Sequence, residues 1–247
     1  MTQDTSTASS ATGGRDALSI EQGYWETYAD YDWSSDETKD KAISFIPRTD
    51  GDVLELCIGG GAFARRIPKN YSSYTGLDLS RTLLDALAQN LPHVKTVYGD
   101  AQELPFEESS FDSVILFSGL HHLPKMRQSL DEAFRVLRPG GSYFCFEPND
   151  CAWYRAPMRM MRNNKTIRDW IKIYSDDEVY LDPEQVEKVA SAAGFVDAKV
   201  NFLTARFNPD FLGPMNRLFA NVMYLAGALG SGVNTQSYFA FSARKAG

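Results

Sequence analysis

The sequence predicts an open α/β sheet, because short apolar runs alternate with amphipathic stretches from about residue 53 onward. A glycine or acidic turn separates many of the runs from the stretch that follows, as expected of parallel strands linked by crossover helices. The composition agrees, since 43% of the 247 residues are hydrophobic and 23% are charged, which suits one large buried core. In such sheets ligands bind beyond the carboxyl ends of the strands, so chemistry is expected there.

Five apolar runs are predicted as parallel strands, with helices between them. The strands cover residues 53–58, 74–79, 94–98, 113–118 and 142–147, and the helices cover 62–67, 81–90 and 125–136. Farther along the chain a helix is predicted over 183–193, because Asp182 can cap its start and Gly194 follows its end. Two late apolar runs, 195–203 and 237–244, are predicted to form a closing strand pair.

Two segments interrupt the alternation, and a separate segment precedes it. Residues 1–16 are rich in Ser, Thr, Ala and Gly, which predicts a disordered tail. Residues 150–180 and 207–232 are predicted as helical cap insertions over a substrate, the second because its apolar residues recur at helical spacing. Residues 150–172 carry six basic residues against two acidic ones, which makes this cap a candidate for binding a substrate carboxylate or phosphate. A solvated helix face explains the same charges.

Charge and cysteine content restrict the partners and the compartment. Asp and Glu total 32 against 25 Lys and Arg, and the net charge of -7 argues against nucleic acid or an anionic membrane as partner. The three cysteines form no C-x-x-C pair and indicate neither a disulfide framework nor a zinc site. No run approaches the ~20 apolar residues of a membrane-spanning helix, and no signal peptide is recognisable. We therefore expect a cytoplasmic protein with a small-molecule substrate and no metal, and a homodimer stays open.

The strongest chemical signal is a strand that ends in a glycine turn, Glu55-Leu56-Cys57-Ile58-Gly59-Gly60-Gly61. Glycines there let a ligand approach the backbone, although the same turn also fits a dinucleotide-binding fingerprint or a plain strand-to-helix connection. Asp78 ends the next strand, where a carboxylate can accept hydrogen bonds from both hydroxyls of a ribose. Asp100 ends the third, where it can accept one from an exocyclic amine such as that of adenine. Either aspartate alone can be a helix cap or turn residue, but acidic groups that close three successive strands are hard to attribute to capping.

Together with further motifs, these residues resemble the class I S-adenosylmethionine-dependent methyltransferases. The further motifs are Phe111-Asp112-Ser113-Val114, Leu137-Arg138-Pro139-Gly140-Gly141 and Ala193-Gly194-Phe195, and the resemblance runs over about 24–245. It implies a Rossmann-like seven-stranded, mostly parallel sheet with an antiparallel C-terminal hairpin and helices on both faces. It also implies a single methyltransferase domain over 17–247, in which an aromatic stretch within about 17–46 forms a helical lid.

The resemblance implies S-adenosylmethionine as the cofactor. Gly59 and Gly61 are expected at its amino acid moiety, and Ser118 along its methionine portion. Aromatic lid residues are expected near the sulfonium, whose charge their faces attract, although an ordinary amphipathic helix explains them equally well. One position departs from the family pattern E-x-G-x-G-x-G, because Cys57 replaces the first glycine. The full predicted cofactor set is Tyr24, Tyr31, Glu55, Gly59, Gly61, Asp78, Leu79, Asp100, Ala101 and Ser118.

His121 and His122 are the candidates for catalysis, because they directly follow the strand expected to floor the active site. A neutral imidazole there can accept the proton of a substrate hydroxyl as the methyl group transfers. Capping of the next helix, or packing beneath it, is the alternative for both residues. Glu147 and Asn149 offer oxygen atoms near the substrate side, and for these we expect hydrogen bonding or loop anchoring rather than metal binding.

The predicted function is S-adenosylmethionine-dependent methyl transfer to a small organic acceptor, with hydroxyl, amine and carbon acceptors all open. A short-chain dehydrogenase is disfavoured, because no tyrosine has a lysine four residues farther on. DNA amino-methylating enzymes carry Asn or Asp, then Pro-Pro and an aromatic, where this chain has Ser118-Gly119-Leu120-His121. Two alternatives stay open: a non-methylating enzyme with the same cofactor site, such as a cyclase, and a non-catalytic subunit that binds S-adenosylmethionine.

Overall fold

Seven strands form one sheet in the computed structural model, which describes residues 34–149, 181–206 and 236–247 and the helical residues Asn221 and Leu225. They are β1 (Gly51–Leu56), β2 (Tyr71–Asp78), β3 (Lys95–Tyr98), β4 (Phe111–Phe117), β5 (Leu137–Pro148), β6 (Phe195–Leu203) and β7 (Tyr238–Lys245). Their order across the sheet is β3-β2-β1-β4-β5-β7-β6. The first five run parallel, and β7 lies antiparallel between β5 and β6. The predicted mostly parallel sheet with an antiparallel C-terminal hairpin is confirmed.

Four α-helices lie in the described ranges: α1 (Asp36–Ile43), α2 (Arg81–Asn90), α3 (Met126–Val136) and α4 (Pro183–Ala193). A short 3-10 helix, Leu120–His122, follows β4. The predicted bounds of α4 are confirmed, because its end signals are local. The Asp182 side chain accepts a hydrogen bond from the Glu184 N–H at 3.0 Å, and Gly194 ends the helix in left-handed backbone at φ 107°.

The predicted helix over 62–67 is wrong, because this segment forms consecutive turns. Its helix-like hydrogen bonds are few: Arg65 N–H donates to Gly61 O at 3.1 Å and Ile67 N–H to Phe63 O at 3.2 Å. Pro68 follows at once, and a residue before proline is pushed away from helical backbone, so the helix cannot extend.

The fifth strand begins earlier than the predicted start at residue 142. Leu137 pairs with Phe111 of β4, and a register shift separates this pair from the regular pairing that starts at Ser113 and Ser142. The turn-like sequence Arg138-Pro139-Gly140-Gly141 is therefore absorbed into an irregular part of β5. Gly140 accommodates the irregularity in left-handed backbone at φ 79°.

The core has one layer on each face of the sheet. Helices α3 and α4 pack on one face through buried Leu130, Ala133, Val186 and Ala190. Helices α1 and α2 pack on the other through buried Ala42, Leu84 and Leu87. The predicted helices on both faces are confirmed.

Helix α1 is tied to a segment far along the chain. The Ser35 N–H donates to the Arg206 carbonyl at 2.9 Å. The Thr38 hydroxyl donates to that carbonyl at 3.1 Å and accepts from the Arg206 N–H at 2.8 Å. Thr38 is buried, so these bonds fix the start of α1 just beyond the end of β6.

Much of the predicted cover lies outside the described residues. This holds for Tyr24 and Tyr31, for the tail 1–16, for the cap 150–180, and for the cap 207–232 apart from helical Asn221 and Leu225. Of the predicted lid at 17–46, residues 34–46 are described and contain α1. In the described part of the chain, no helix has the length and apolar character needed to cross a membrane.

Candidate active site

The carboxyl ends of β1, β2 and β4 meet at one edge of the sheet. Parallel register places Leu56 beside Leu77 on one side and Leu116 on the other, so the residues that follow these strands come together. At the same edge the Ser118 N–H donates to the Phe146 carbonyl of β5 at 2.8 Å. The predicted glycine turn, Asp78, Ser118 and the two histidines therefore gather around one edge.

The glycine turn serves two separate purposes. Gly59 has left-handed backbone at φ 53°, and a Cβ added there would meet no atom of the described residues within 4 Å. The space above Gly59 is therefore open to a ligand. Gly61 is also left-handed, at φ 75°, but an added Cβ would lie 2.5 Å from Cδ1 of Leu87 in α2. Gly61 is required for packing, whereas Gly59 leaves the backbone accessible.

Asp78 is held rigidly at the end of β2. Its Oδ2 accepts the Gly59 N–H at 2.8 Å, and its Oδ1 accepts the Ser80 N–H at 2.9 Å. Burial raises the pKa of Asp78 above its usual value, while the backbone N–H groups of Ser80 and Gly59 lower it. The carboxylate thus joins the glycine turn to the start of α2, and the half-buried Leu79 follows it.

Asp100 lies next to this edge and is anchored by Gln102, to which the sequence alone assigns no role. Its Oδ1 accepts the backbone N–H of Gln102 at 2.8 Å and the side-chain Nε2–H of the same residue at 3.1 Å. Gln102 is 4% exposed, and its Oε1 accepts the Lys125 N–H at 2.9 Å. The loop with Asp100 and the buried Ala101 is thereby fixed to the start of α3.

Two residues other than glycine adopt left-handed backbone where strands end. Cys57 follows β1 with φ 53°, and Ser118 follows β4 with φ 49°. This conformation costs most side chains energy, and such strain is concentrated at functional sites. Cys57 also explains why a glycine lies beside it: a Cβ on Gly119 would be 2.7 Å from the Cβ of Cys57. The Ser118 Oγ is buried and has no hydrogen-bond partner in the described part of the chain.

Glu55 is enclosed within the sheet rather than open at its edge. It is 2% exposed, and its Oε2 accepts a hydrogen bond from the Tyr74 hydroxyl on β2. Burial raises the pKa of Glu55 to about 8, and the negative charge of Asp78 adds to that rise, although the hydrogen bond opposes it. The structure thus shows Glu55 bonded to Tyr74, and the contact of Glu55 with a cofactor stays a prediction.

His121 and Glu147 form a buried pair at this edge. The His121 Nδ1 lies 2.6 Å from Glu147 Oε2, and the two side chains are 7% and 0% exposed. Glu147 Oε1 also accepts the backbone N–H groups of Gly119 at 3.1 Å and Leu120 at 2.9 Å. Burial raises the pKa of Glu147 to about 7, against the lowering effect of these backbone groups.

His122 occupies a different position from its neighbour. It is half-buried, and its ring centroid lies 3.9 Å from that of His121. The sequence favours His121 slightly, as the histidine nearer the end of β4, and the structure distinguishes the two further, since the Glu147 carboxylate contacts His121. One signal in the sequence points to this pair, an acidic residue in the otherwise apolar run 143–147 of β5.

The His121–Glu147 pair is suited to proton transfer, and it lies at the same sheet edge as the accessible backbone of Gly59. A carboxylate that contacts one ring nitrogen of a histidine orients the ring and stabilises its protonated form. In the described residues no group of three His, Cys, Asp or Glu side chains is arranged to hold a metal ion.

Comparison with known proteins identifies the wider class. Residues 54–145 match a family model described as a methyltransferase domain. The demethylmenaquinone methyltransferase of Staphylococcus aureus (strain JH9) is 27% identical over 192 residues, which cover 70% of this chain and 77% of the relative.

Solved structures share the fold at lower identity. Phosphoethanolamine N-methyltransferase 2 of Haemonchus contortus, in complex with phosphomonomethylethanolamine and S-adenosylhomocysteine, has a TM-score of 0.66 and 17% identity, covering 94% of this chain and 60% of that chain. The (4+2)-cyclase SpnF has a TM-score of 0.59 and 18% identity, covering 95% and 94%. The fold alone thus accommodates more than one reaction, and the family match and the curated relatives favour methyl transfer. The chain thus carries a methyltransferase domain over residues 54–145, and the family match and the relatives together support a class I S-adenosylmethionine-dependent methyltransferase.

Proposed function

We propose that this enzyme methylates a small organic acceptor whose nucleophile carries a dissociable proton, such as a hydroxyl or phenolic oxygen. The observation that supports it is the buried His121–Glu147 pair, whose 2.6 Å contact lies at the same sheet edge as the glycine turn. An acceptor of this kind is a poor nucleophile until it loses its proton. A positioned histidine supplies the base that such an acceptor needs.

The residues at the sheet edge suit S-adenosylmethionine as the methyl donor. The open space above Gly59 allows close approach, and the buried Ser118 Oγ lacks a hydrogen-bond partner among the described residues. We assign Gly59 and Gly61 to the amino acid moiety, Asp78 to the ribose, Asp100 and Ala101 to the adenine, and Ser118 to the methionine portion. Leu79, Glu55, Tyr24 and Tyr31 complete the proposed set, the last two as parts of a lid.

When bound, S-adenosylmethionine supplies an electrophilic methyl group on a sulfonium ion. The protein then mainly has to align the acceptor and exclude water. His121 is 8% exposed, so its ring can receive the acceptor's proton away from bulk water. The Glu147 carboxylate compensates the positive charge that the ring gains.

Among such acceptors we favour phenolic and quinol rings. The curated relative from Staphylococcus aureus is named for demethylmenaquinone. Loss of a phenolic proton makes both the oxygen and neighbouring ring carbons nucleophilic, so one base serves either site of methylation. The net charge of -7 supports a small molecule rather than nucleic acid, and we propose a cytoplasmic location.

Cyclisation without methyl transfer is the second candidate, because the SpnF cyclase has the same fold. The two candidates differ in their products. A methyltransferase forms S-adenosylhomocysteine and a methylated product in equal amounts, whereas a cyclase converts its substrate without consuming S-adenosylmethionine. A non-catalytic subunit would bind S-adenosylmethionine and turn over nothing.

The test combines binding with turnover. Thermal shifts with S-adenosylhomocysteine and a panel of phenols, quinols, alcohols and amines select ligands, since compounds that bind the native state raise its Tm. Mass spectrometry of the selected reactions then detects a methylated product. Thermal stabilisation by S-adenosylhomocysteine, followed by methylation of phenols or quinols, supports the proposal. Turnover of amines alone contradicts the proposed acceptor class.

His121→Gln tests the base directly. We expect turnover of a phenolic acceptor to fall by ~10²–10⁴-fold, because general-base catalysis contributes about that much. The affinity for S-adenosylhomocysteine, measured by calorimetry, should stay unchanged. His122→Gln is the matched control, because the Glu147 contact lies on His121. Near-parent turnover in His121→Gln would show that His121 is not the general base.

A further inference from the structure

Glu147 uses both of its carboxylate oxygens for different purposes. Its Oε1 accepts the backbone N–H groups of Gly119 and Leu120, at 3.1 Å and 2.9 Å. Its Oε2 faces the His121 Nδ1 at 2.6 Å and the His121 backbone N–H at 3.4 Å. The side chain is fully buried, so its orientation is fixed by these partners rather than by water.

These partners determine which ring nitrogen of His121 carries the proton. Three backbone donors around Glu147 favour a carboxylate, which can only accept hydrogen bonds. A neutral His121 must then carry its proton on Nδ1 and donate it to Oε2, which leaves the lone pair on Nε2. We propose that Glu147 is a positioning residue that fixes His121 in the Nδ1–H form, so that Nε2 is the atom that accepts the substrate's proton. This inference rests on the proposed base function of His121.

The proton step balances within this pair and the acceptor. The acceptor's O–H bond breaks, its electron pair stays on the acceptor oxygen, and the proton forms a bond with Nε2. The ring becomes an imidazolium whose charge the Glu147 carboxylate offsets. Without the Nδ1–H form, Nε2 would already hold a proton and could not act as the base.

Glu147→Gln is a sharp test, because the structure predicts which way the amide would turn. The glutamine carbonyl oxygen must take the place of Oε1, where two backbone N–H groups need an acceptor. The amide nitrogen then takes the place of Oε2, donates to the His121 Nδ1 and gives up only the long 3.4 Å hydrogen bond from the His121 backbone N–H. A nearly isosteric change therefore keeps the loop in place and moves the ring proton to Nε2.

The experiment is ¹⁵N NMR of the histidine side chains in the full chain at about pH 8, where histidine is ordinarily neutral. The chain has three histidines, and the His121 signals are identified by their loss in His121→Gln. We expect an Nδ1–H ring in the parent and an Nε2–H ring in Glu147→Gln, with turnover reduced by ~10²–10⁴-fold. Affinity for S-adenosylhomocysteine should not change.

Glu132→Gln is the matched control. Glu132 also accepts a backbone N–H, from Leu104 at 2.8 Å, but it pairs with Arg135 rather than with a histidine. We expect its variant to keep the parent form of His121 and the parent turnover.

Two results would overturn the inference: a parent His121 that carries its proton on Nε2, or a Glu147→Gln ring that keeps the Nδ1–H form. The parent spectrum decides the first even if the variant fails to fold. A failure of the proposed function has a different signature. Turnover would then be unaffected by His121→Gln, while the ring proton would still move in Glu147→Gln.

Discussion

The contact between Cys57 and Gly119 allows a quantitative test of packing beneath the site. An alanine at position 119 would place its Cβ 2.7 Å from the Cβ and 3.1 Å from the Sγ of Cys57. The backbone does not forbid alanine there, because Gly119 has φ -128°. The cost of Gly119→Ala therefore comes from the side chain of Cys57, with a smaller contribution from Leu116 at 3.3 Å.

The magnitude follows from the distances. Overpacking of this kind costs about 1–3 kcal/mol in the parent chain. In a Cys57→Gly background the main obstacle is gone, and the methyl end of Leu116 can move by the few tenths of an ångström required. We expect a coupling free energy on the order of 1–2 kcal/mol in favour of the double variant. Cys57→Gly alone should change stability little, because relief of its left-handed strain is offset by the flexibility of glycine in the unfolded chain.

Urea denaturation of the parent, both single variants and the double variant completes the cycle. The reasoning is refuted if Gly119→Ala costs the same free energy of unfolding in both backgrounds. A second readout is turnover. The Gly119 N–H donates to Glu147, so displacement of this loop should lower activity in Gly119→Ala, and Cys57→Gly should restore it.

Two further predictions concern the carboxylates of β1 and β2. Asp78→Ala should weaken S-adenosylhomocysteine binding roughly ten- to a hundredfold in calorimetry, because charge-assisted hydrogen bonds contribute about 1.5–3 kcal/mol. The control is Asp52→Ala, at the other end of β1. Equal affinities of the two variants would contradict the ribose site. The pKa of Glu55 is raised to about 8, so its contribution to stability is present below about pH 4.5 and is lost as the pH rises toward 8. Between about pH 5 and pH 9 the free energy of unfolding should therefore fall by several kcal/mol less in Glu55→Gln than in the parent. The expected difference is about 1.4 kcal/mol for each pH unit between the pKa values of the unfolded and folded states. If the parent and Glu55→Gln showed the same pH dependence of urea unfolding, the pKa of Glu55 would not be raised in the folded protein.

Local signals made parts of the fold predictable. Helix α4 was predicted with its observed bounds, because Asp182 and Gly194 determine its ends within a few residues. The turns at 62–67 were not predicted, because the apolar pattern there is helical while Pro68 prevents a regular helix. The α4 prediction succeeded because both ends of that helix are marked by neighbouring residues, whereas the segment 62–67 has a helical apolar pattern without such end signals.

The same holds for the site: residues marked by their own sequence neighbours are predictable, and contacts between distant parts of the chain are not. Gly59 and Asp78 could be singled out because each lies beside the end of its own strand. Hydrogen bonding by Glu147 is expected from the sequence, but its pairing with His121 is not, since the two are 26 residues apart and meet only through the register of β4 and β5. Cys57 stood out as a departure from a glycine pattern, and its left-handed backbone now explains why glycine is usual there.

The bonds between Thr38 and Arg206 also bear on the order in which the chain is assembled during synthesis. The two residues are 168 positions apart, so the ribosome has produced most of the protein before the partner of Thr38 exists. Strands β1 to β5 can pair while α1 still lacks its final anchor. Segments that must wait for distant partners join late and are exposed in the meantime. The start of α1 is therefore expected to be a late part of this layer to become protected from proteases on a nascent chain.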